Sequence, residues 1–409
     1  MKTPGALLLL LAVIRAARSA ALRAARSAAL RAVLPAALSA AVSAGCASLT
    51  ARSPEPTDEH PHPAGIAQIR WRTQLHQHGL FEPTPEECAT GALVGQGHEL
   101  VIGSRASAIV SVGTERGQIL WATTASGGID GEARFDARHN QVYVGADDGN
   151  FYALDPSSGS VRWTYRAKGA IEQAADVGGD TVYFGTAADR VIALDATNGK
   201  WRWQYERETP EGFTIHGYSG PRTQGENVIA GFSDGYLVSL SGASGEVVWA
   251  RSLAAVSDQF VDVDSTPTVV GNTIYASSYS GGLYALDARD GSVHWRVGIE
   301  GVSSVFVAGP RLYFAAPRQG LHAADTEGHI LWRQGLTQAG DLTSPVVLGS
   351  YLVFSGSRAG LFIVDRETGK LLEIFNPGSG ICAAPTIDPT GSRLYVLSNG
   401  GALYALDLT

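Results

Sequence analysis

Residues 151–163 read FYALDPSSGSVRW, and nearly the same phrase returns as VIALDATNGKWRW at 191–203 and LYALDARDGSVHW at 283–295. Each copy is an apolar run ending near Asp, a turn of the form D-x-x-x-G, and a second run ending on Trp. A short β-branched or aromatic run ending in a small residue precedes it, as in VYVG (142–145) or VYFG (182–185). One more short apolar run lies between copies, as in TPTVV (266–270) or SPVVL (344–348). Alternating apolar residues broken by Gly, Asn and Asp turns make a meander of hairpins, not a helix. Four strands in a unit of about 40–45 residues describe a propeller blade.

Third strands of this type begin at 108, 151, 191, 236, 283, 321, 361 and 403, which makes eight blades. Outer strands of the form G-x-x-x-W end on Trp121, Trp163, Trp203, Trp249, Trp295 and Trp332, and a seventh, Gly369–Glu373, has Glu in place of Trp. The eighth blade stops at Thr409 without an outer strand, while residues 68–72, QIRWR, form an outer strand with no blade before it. An open ring would leave an unpaired edge, an aggregation hazard. The expected fold is therefore all-β. It is an eight-bladed β-propeller of four-stranded blades, closed by an N-terminal strand that completes the last blade. Trp71, Trp121, Trp163, Trp203, Trp249, Trp295 and Trp332 are expected to pack one blade on the next. The Asp and Gly of D-x-x-x-G are turn chemistry, with Gly at positive φ.

The chain has 409 residues, 44% hydrophobic and 17% charged, with 49 glycines and a formal charge of −8. Residues 1–45 hold six Lys/Arg and no acids, so a chain beginning at Cys46 would carry −14. An acidic body argues against a nucleic-acid partner. GALLLLLAVI (5–14) is too short to span a bilayer. The octads RAARSAAL, RAARSAAL and RAVLPAAL (15–38) lead into an apolar run that ends at Gly45-Cys46. Positive region, apolar region and small residues before a cut follow the logic of an export signal. The stretch after Cys46, ASLTARSPEPTDEHPHPAG, is Pro-rich and polar and reads as a tether. The expected organisation is a leader over 1–45, a tether over 46–65 and the propeller over 66–409.

Cys88 and Cys382 fall at equivalent positions before the inner strands of blades one and eight, beside the expected closure. They form either a disulfide or two buried thiols. The pairs His60/His62 and His76/His78 have no third ligand at fixed spacing, so no metal is expected. There is no phosphate-binding loop, nucleophile elbow or H-E-x-x-H.

SAGC at 43–46 resembles a bacterial lipobox, which would make Cys46 a lipidated first residue. A-L-D-x-x-x-G-x-x-x-W resembles the quinoprotein-type propeller repeat. The dehydrogenases of that group carry two adjacent cysteines over a quinone. Here the three cysteines, Cys46, Cys88 and Cys382, are all separate, so the expectation is no enzyme and no cofactor. DVDSTPTVVGNTIYASSYSGGLYALDARDGSVHW (262–295) is similar to the central repeat of the BamB family, the propeller lipoproteins of the outer-membrane β-barrel assembly machine. That resemblance implies a lipid-anchored scaffold on the periplasmic face of the outer membrane, with the barrel-inserting (BamA-like) subunit as partner. The residues it implies as partner contacts are Phe213, Ile215, His216, Asp262 and Asp264. His216 departs from the family's Arg and loses a fixed charge and a five-donor fork. The residues themselves allow this reading, because ETPEGFTIHGYSGPRTQ (208–224) is a long insertion on a rigid scaffold. They equally allow Phe213 and Ile215 as inner-strand core and the two acids as turn caps. The alternatives are another exported propeller that binds a different envelope protein or glycan and, as a lesser one, a quinone-dependent dehydrogenase.

Overall fold

Short runs of β-branched and aromatic residues punctuated by Gly and Asp pair locally into antiparallel hairpins, because no run is long enough for a helix. The computed structural model describes residues 65–75, 86–208, 219–254, 261–303, 305–336 and 339–409. Within them lie eight four-stranded sheets. Blade two is representative, with strands Arg134–Asp136, Gln141–Gly145, Asn150–Leu154 and Val161–Arg166 from the axis outward. The two middle strands are buried almost throughout, and the outer strand alternates toward solvent. The innermost strands are shorter than the apolar runs suggested: TPTVV yields Thr268–Val270 and SPVVL yields Val346–Leu348. Pro267 and Pro345 cannot donate to a ladder, so pairing begins after them.

Blade eight is composite. Its inner strands Thr386–Ile387, Arg393–Leu397 and Ala402–Leu408 are followed outward by Ala67–Gln74. Ala67 opposes Leu408 and Gln74 opposes Ala402. In every blade the register slips between the third and fourth strands, immediately before the Trp position. A bulge adds twist and re-aims the next side chain, here toward the following blade. The closing strand keeps it, with Arg70 as the extra residue.

The Trp side chains then do two things. The Nε1–H of Trp71 donates to the Thr114 carbonyl (2.8 Å), that of Trp121 to Pro156 (2.8 Å) and that of Trp203 to Gly242 (2.9 Å). Trp163, Trp249 and Trp295 donate to the equivalent carbonyls of Ala196, Ala288 and Thr326. Each ring also lies over the glycine of the next blade's turn. At Gly245, φ is +76° and a Cβ would stand 2.7 Å from the Trp203 ring. The turn glycine therefore serves backbone conformation and Trp packing at once.

Glu373, which breaks the Trp pattern, has a physical reason. Blade seven faces the composite blade, where the start of the closing strand and Thr409 stand in place of the D-x-x-x-G turn. No turn carbonyl waits there for an indole. Instead Glu373 Oε2 accepts from the N–H of Ile66 (2.5 Å) and of Ala67 (3.4 Å), and the Thr409 N–H donates to the Ile66 carbonyl (3.0 Å). A donor has been exchanged for an acceptor because the partner changed from C=O to N–H. We expect both Glu373→Ala and Glu373→Trp to lower the urea midpoint, by about 1–2 kcal/mol for the unmade hydrogen bonds. Greater stability in Glu373→Trp would show that the closure does not need the carboxylate.

Candidate functional site

The strand order sorts the connections onto two faces. The turns between strands one and two and between strands three and four share one face. The turns between strands two and three, and the segments that lead from each outer strand to the next blade, share the other. All described candidate residues lie in such segments.

At the seam, Cys88 and Cys382 are joined by a disulfide, with Cα atoms 5.0 Å apart and a sequence separation of 294. Two side chains absent from the sequence reading organise it. Glu87 is buried; its carboxylate accepts from Ser104 Oγ (2.8 Å) and from the Arg105 N–H (2.8 Å). Asn399 Oδ1 accepts from the Cys382 N–H (2.7 Å), and its Nδ2 donates to the Ser357 carbonyl (2.8 Å) and to Glu86 Oε1 (2.7 Å). One amide thus holds blades seven, eight and one together. No sequence pattern marks Asn399, since only the fold brings its partners near.

In the segment entering blade five, Val263 is fully buried against Gly231 of blade four, and its N–H donates to the Phe232 carbonyl (3.1 Å). The two acids beside it differ. Asp262 is only 1% exposed, and its carbonyl accepts from the Tyr279 N–H (3.0 Å). Asp264 is half-buried. Burial, reinforced by the neighbouring charge of Asp262, pushes its carboxyl up to about 6 against the pull of the Asp264 and Ser265 N–H groups. Asp262 therefore serves the segment's own packing, and Asp264 is the less enclosed of the two. Thr266 Oγ1 accepts from the Gly220 N–H (3.1 Å), so the stretch 262–267 touches the C-terminal part of the long insertion. Phe213, Ile215 and His216 lie within 209–218, outside the described residues, as do Cys46, His60, His62, His76 and His78.

Along the axis, Arg134 Nη2 donates to Asp176 Oδ1 (3.0 Å). A cavity of about 370 Å³ runs beside the innermost strands of blades four to six. Among the described residues no group of three His, Cys, Asp or Glu is placed to hold a metal.

The raised carboxyl of Asp264 carries a sign that can be checked. A folded-state value above the unfolded one destabilises the protein when both states are ionised, and the penalty fades as pH falls from about 6 to about 4. Asp264→Asn should stabilise the fold at pH 7 by at most about 3 kcal/mol, and by little at pH 4. Urea unfolding at the two pH values measures this, and no gain at pH 7 would show that the acid is under no strain.

The comparisons with known proteins bear on this geometry. The profile of the family described as outer membrane protein assembly factor BamB matches residues 105–334, from the third strand of blade one through blade six. That stretch includes the insertion and the acids. The BamB protein of Legionella pneumophila (strain Paris) is 29% identical over 99 residues, and that of Alkalilimnicola ehrlichii is 34% identical over 99 residues. Each match spans about a quarter of this chain and about a quarter of the relative. The crystal structure of BamB from Moraxella catarrhalis superposes with a TM-score of 0.72 at 23% identity, covering 84% of this chain and all of that one, a likeness of fold. Since the profile covers more than half of the chain and the eight blades repeat the architecture, the chain belongs to the BamB family of outer membrane protein assembly factors.

Proposed function

We propose that this protein is a non-catalytic, lipid-anchored scaffold of the outer-membrane β-barrel assembly machinery. In this reading residues 1–45 direct export, and lipidated Cys46 and the tether to residue 65 hold the propeller at the periplasmic face of the outer membrane. The propeller, residues 66–409, binds the barrel-inserting subunit through Phe213, Ile215, His216 and Asp264, with Asp262 fixing the segment from within. The observation that carries the reading is the family match across the blades that bear both parts of this contact set. The lipobox-like SAGC supports the anchor. The cysteine arrangement supports the absence of quinone chemistry, because Cys88 is bonded to Cys382 rather than to an adjacent cysteine.

The test is a mild-detergent pull-down of tagged protein from envelope membranes. Wild type should bring down the barrel-inserting subunit, and Phe213→Ala/Ile215→Ala/Asp264→Ala should retain at most a tenth of it, as expected when a central apolar pair is lost. Cys46→Ser should move the protein to the soluble fraction. Failure of wild type to capture that subunit would reject the assembly role while leaving the fold intact.

A further inference from the structure

The residue two places after each Trp packs toward the next blade. Where it is aromatic it fills the outer part of the interface. Tyr165 meets Phe184 edge-on (6.3 Å between centroids), Tyr205 meets Phe232 (5.6 Å), and Phe375 meets Tyr404 (5.2 Å). Blade six has Gln334 at this place. The facing wall of blade seven is nonetheless aromatic, with Phe354 and Phe362 stacked at 5.2 Å. The Trp of this interface is also the one without a bond. Trp332 Nε1 finds no acceptor among the described residues, and the turn carbonyl at its place, of Arg366, receives the Tyr313 hydroxyl instead (3.5 Å).

A cavity of about 490 Å³ lies where blades six and seven meet, lined by Leu336, Ala339, Ala359, Phe362, Leu371 and Ile374 together with Asn376 and Arg358. That is more space than one aromatic side chain needs, and within the range of ligand pockets. Arg358 is exposed, and none of the described carboxylates forms an ion pair with it. A cavity with Leu, Ile and Phe on its walls and one unpaired guanidinium among its lining groups complements an apolar side chain followed by an acid.

We propose that this cavity is a docking socket for a segment of a partner protein that presents a bulky aromatic side chain next to an acidic residue. The socket lies two blades beyond the Asp262–Asp264 segment. It is a second contact surface, independent of the first.

The test is fluorescence polarisation with a labelled peptide Ser-Glu-Phe-Glu-Ser-Gly and two counterparts, Phe replaced by Ala and both Glu by Lys. The Phe/Glu peptide should bind saturably. The Ala peptide should be at least about tenfold weaker and the Lys peptide several-fold weaker, as for one lost anchor and one reversed charge. Ala359→Phe, which fills the socket from its own wall, should weaken the Phe/Glu peptide at least about tenfold with an unchanged unfolding midpoint. Exposed Arg358→Glu needs no repacking and should invert the preference between the Glu and Lys peptides. Equal binding by folded Ala359→Phe, an unchanged preference in Arg358→Glu, or no saturation below about 1 mM would overturn the proposal. Self-association of wild type that Ala359→Phe abolishes would assign the socket to a second copy and overturn it as well.

Discussion

Cys88→Ser/Cys382→Ser will unfold with a free energy lower by on the order of 5 kcal/mol than the oxidised wild type, at the upper end for a single bridge. The reason lies in the unfolded chain. The bond spans a separation of 294 residues, and the loop-closure entropy it removes from the denatured ensemble grows with the logarithm of loop length. In the folded state the bond adds less, because the closing strand, Glu87 and Asn399 already hold blades one and eight together. The measurement is a pair of urea curves with and without reductant. Reduced wild type should coincide with the double variant, and oxidised wild type should stand well to the right. Coincidence of all three curves would mean that the bridge constrains nothing the unfolded chain would otherwise explore.

Trp71→Ala comes next, at about 3–5 kcal/mol, the range for emptying a buried aromatic site. Trp71 is 9% exposed; it donates to the Thr114 carbonyl and lies over Gly117. Its loss removes the only indole that joins blade eight to blade one. Trp201 is the internal control. It sits two residues before Trp203, is 55% exposed, and lies outside the G-x-x-x-W register. Trp201→Ala should stay within about 0.5 kcal/mol. Equal losses for the two would show that area alone, and not the wedge between blades, sets the effect.

Those two tryptophans also show what the sequence could disclose. The spacing from Gly to Trp assigned Trp203 to an interface and left Trp201 out, because a repeat reports every position that the blades fill in the same way. The recurring third strands announced eight blades, and the orphan strand around Trp71 announced how the last is completed. The spacing also showed that Glu373 departs from the pattern, but not why. The reason is the start of the closing strand and Thr409, which come together only in the closed ring. Asp262 and Asp264 look alike in D-V-D, yet one is enclosed and the other half-open. Their difference is made by residues from other turns, among them Tyr279, and local spacing carries no information about those. Gln334 was readable as one of several non-aromatic residues at a place where three blades put a ring. The cavity between blades six and seven was not readable, because its walls come from segments far apart in sequence.

The composite blade imposes an order on assembly. A chain made from its N-terminus produces Ala67–Gln74 before the other described strands and its pairing partner Ala402–Leu408 after them. Blades one to seven are built from neighbouring hairpins and can form in turn, but the first strand must wait for the last. Cys88 and Cys382 repeat the same arrangement in covalent form. Without Ala402–Leu408, blade eight has no third strand and Ala67–Gln74 has no pairing partner, so both sides present open edges. The last joint of the ring therefore depends on two strands at once, and neither can complete it alone.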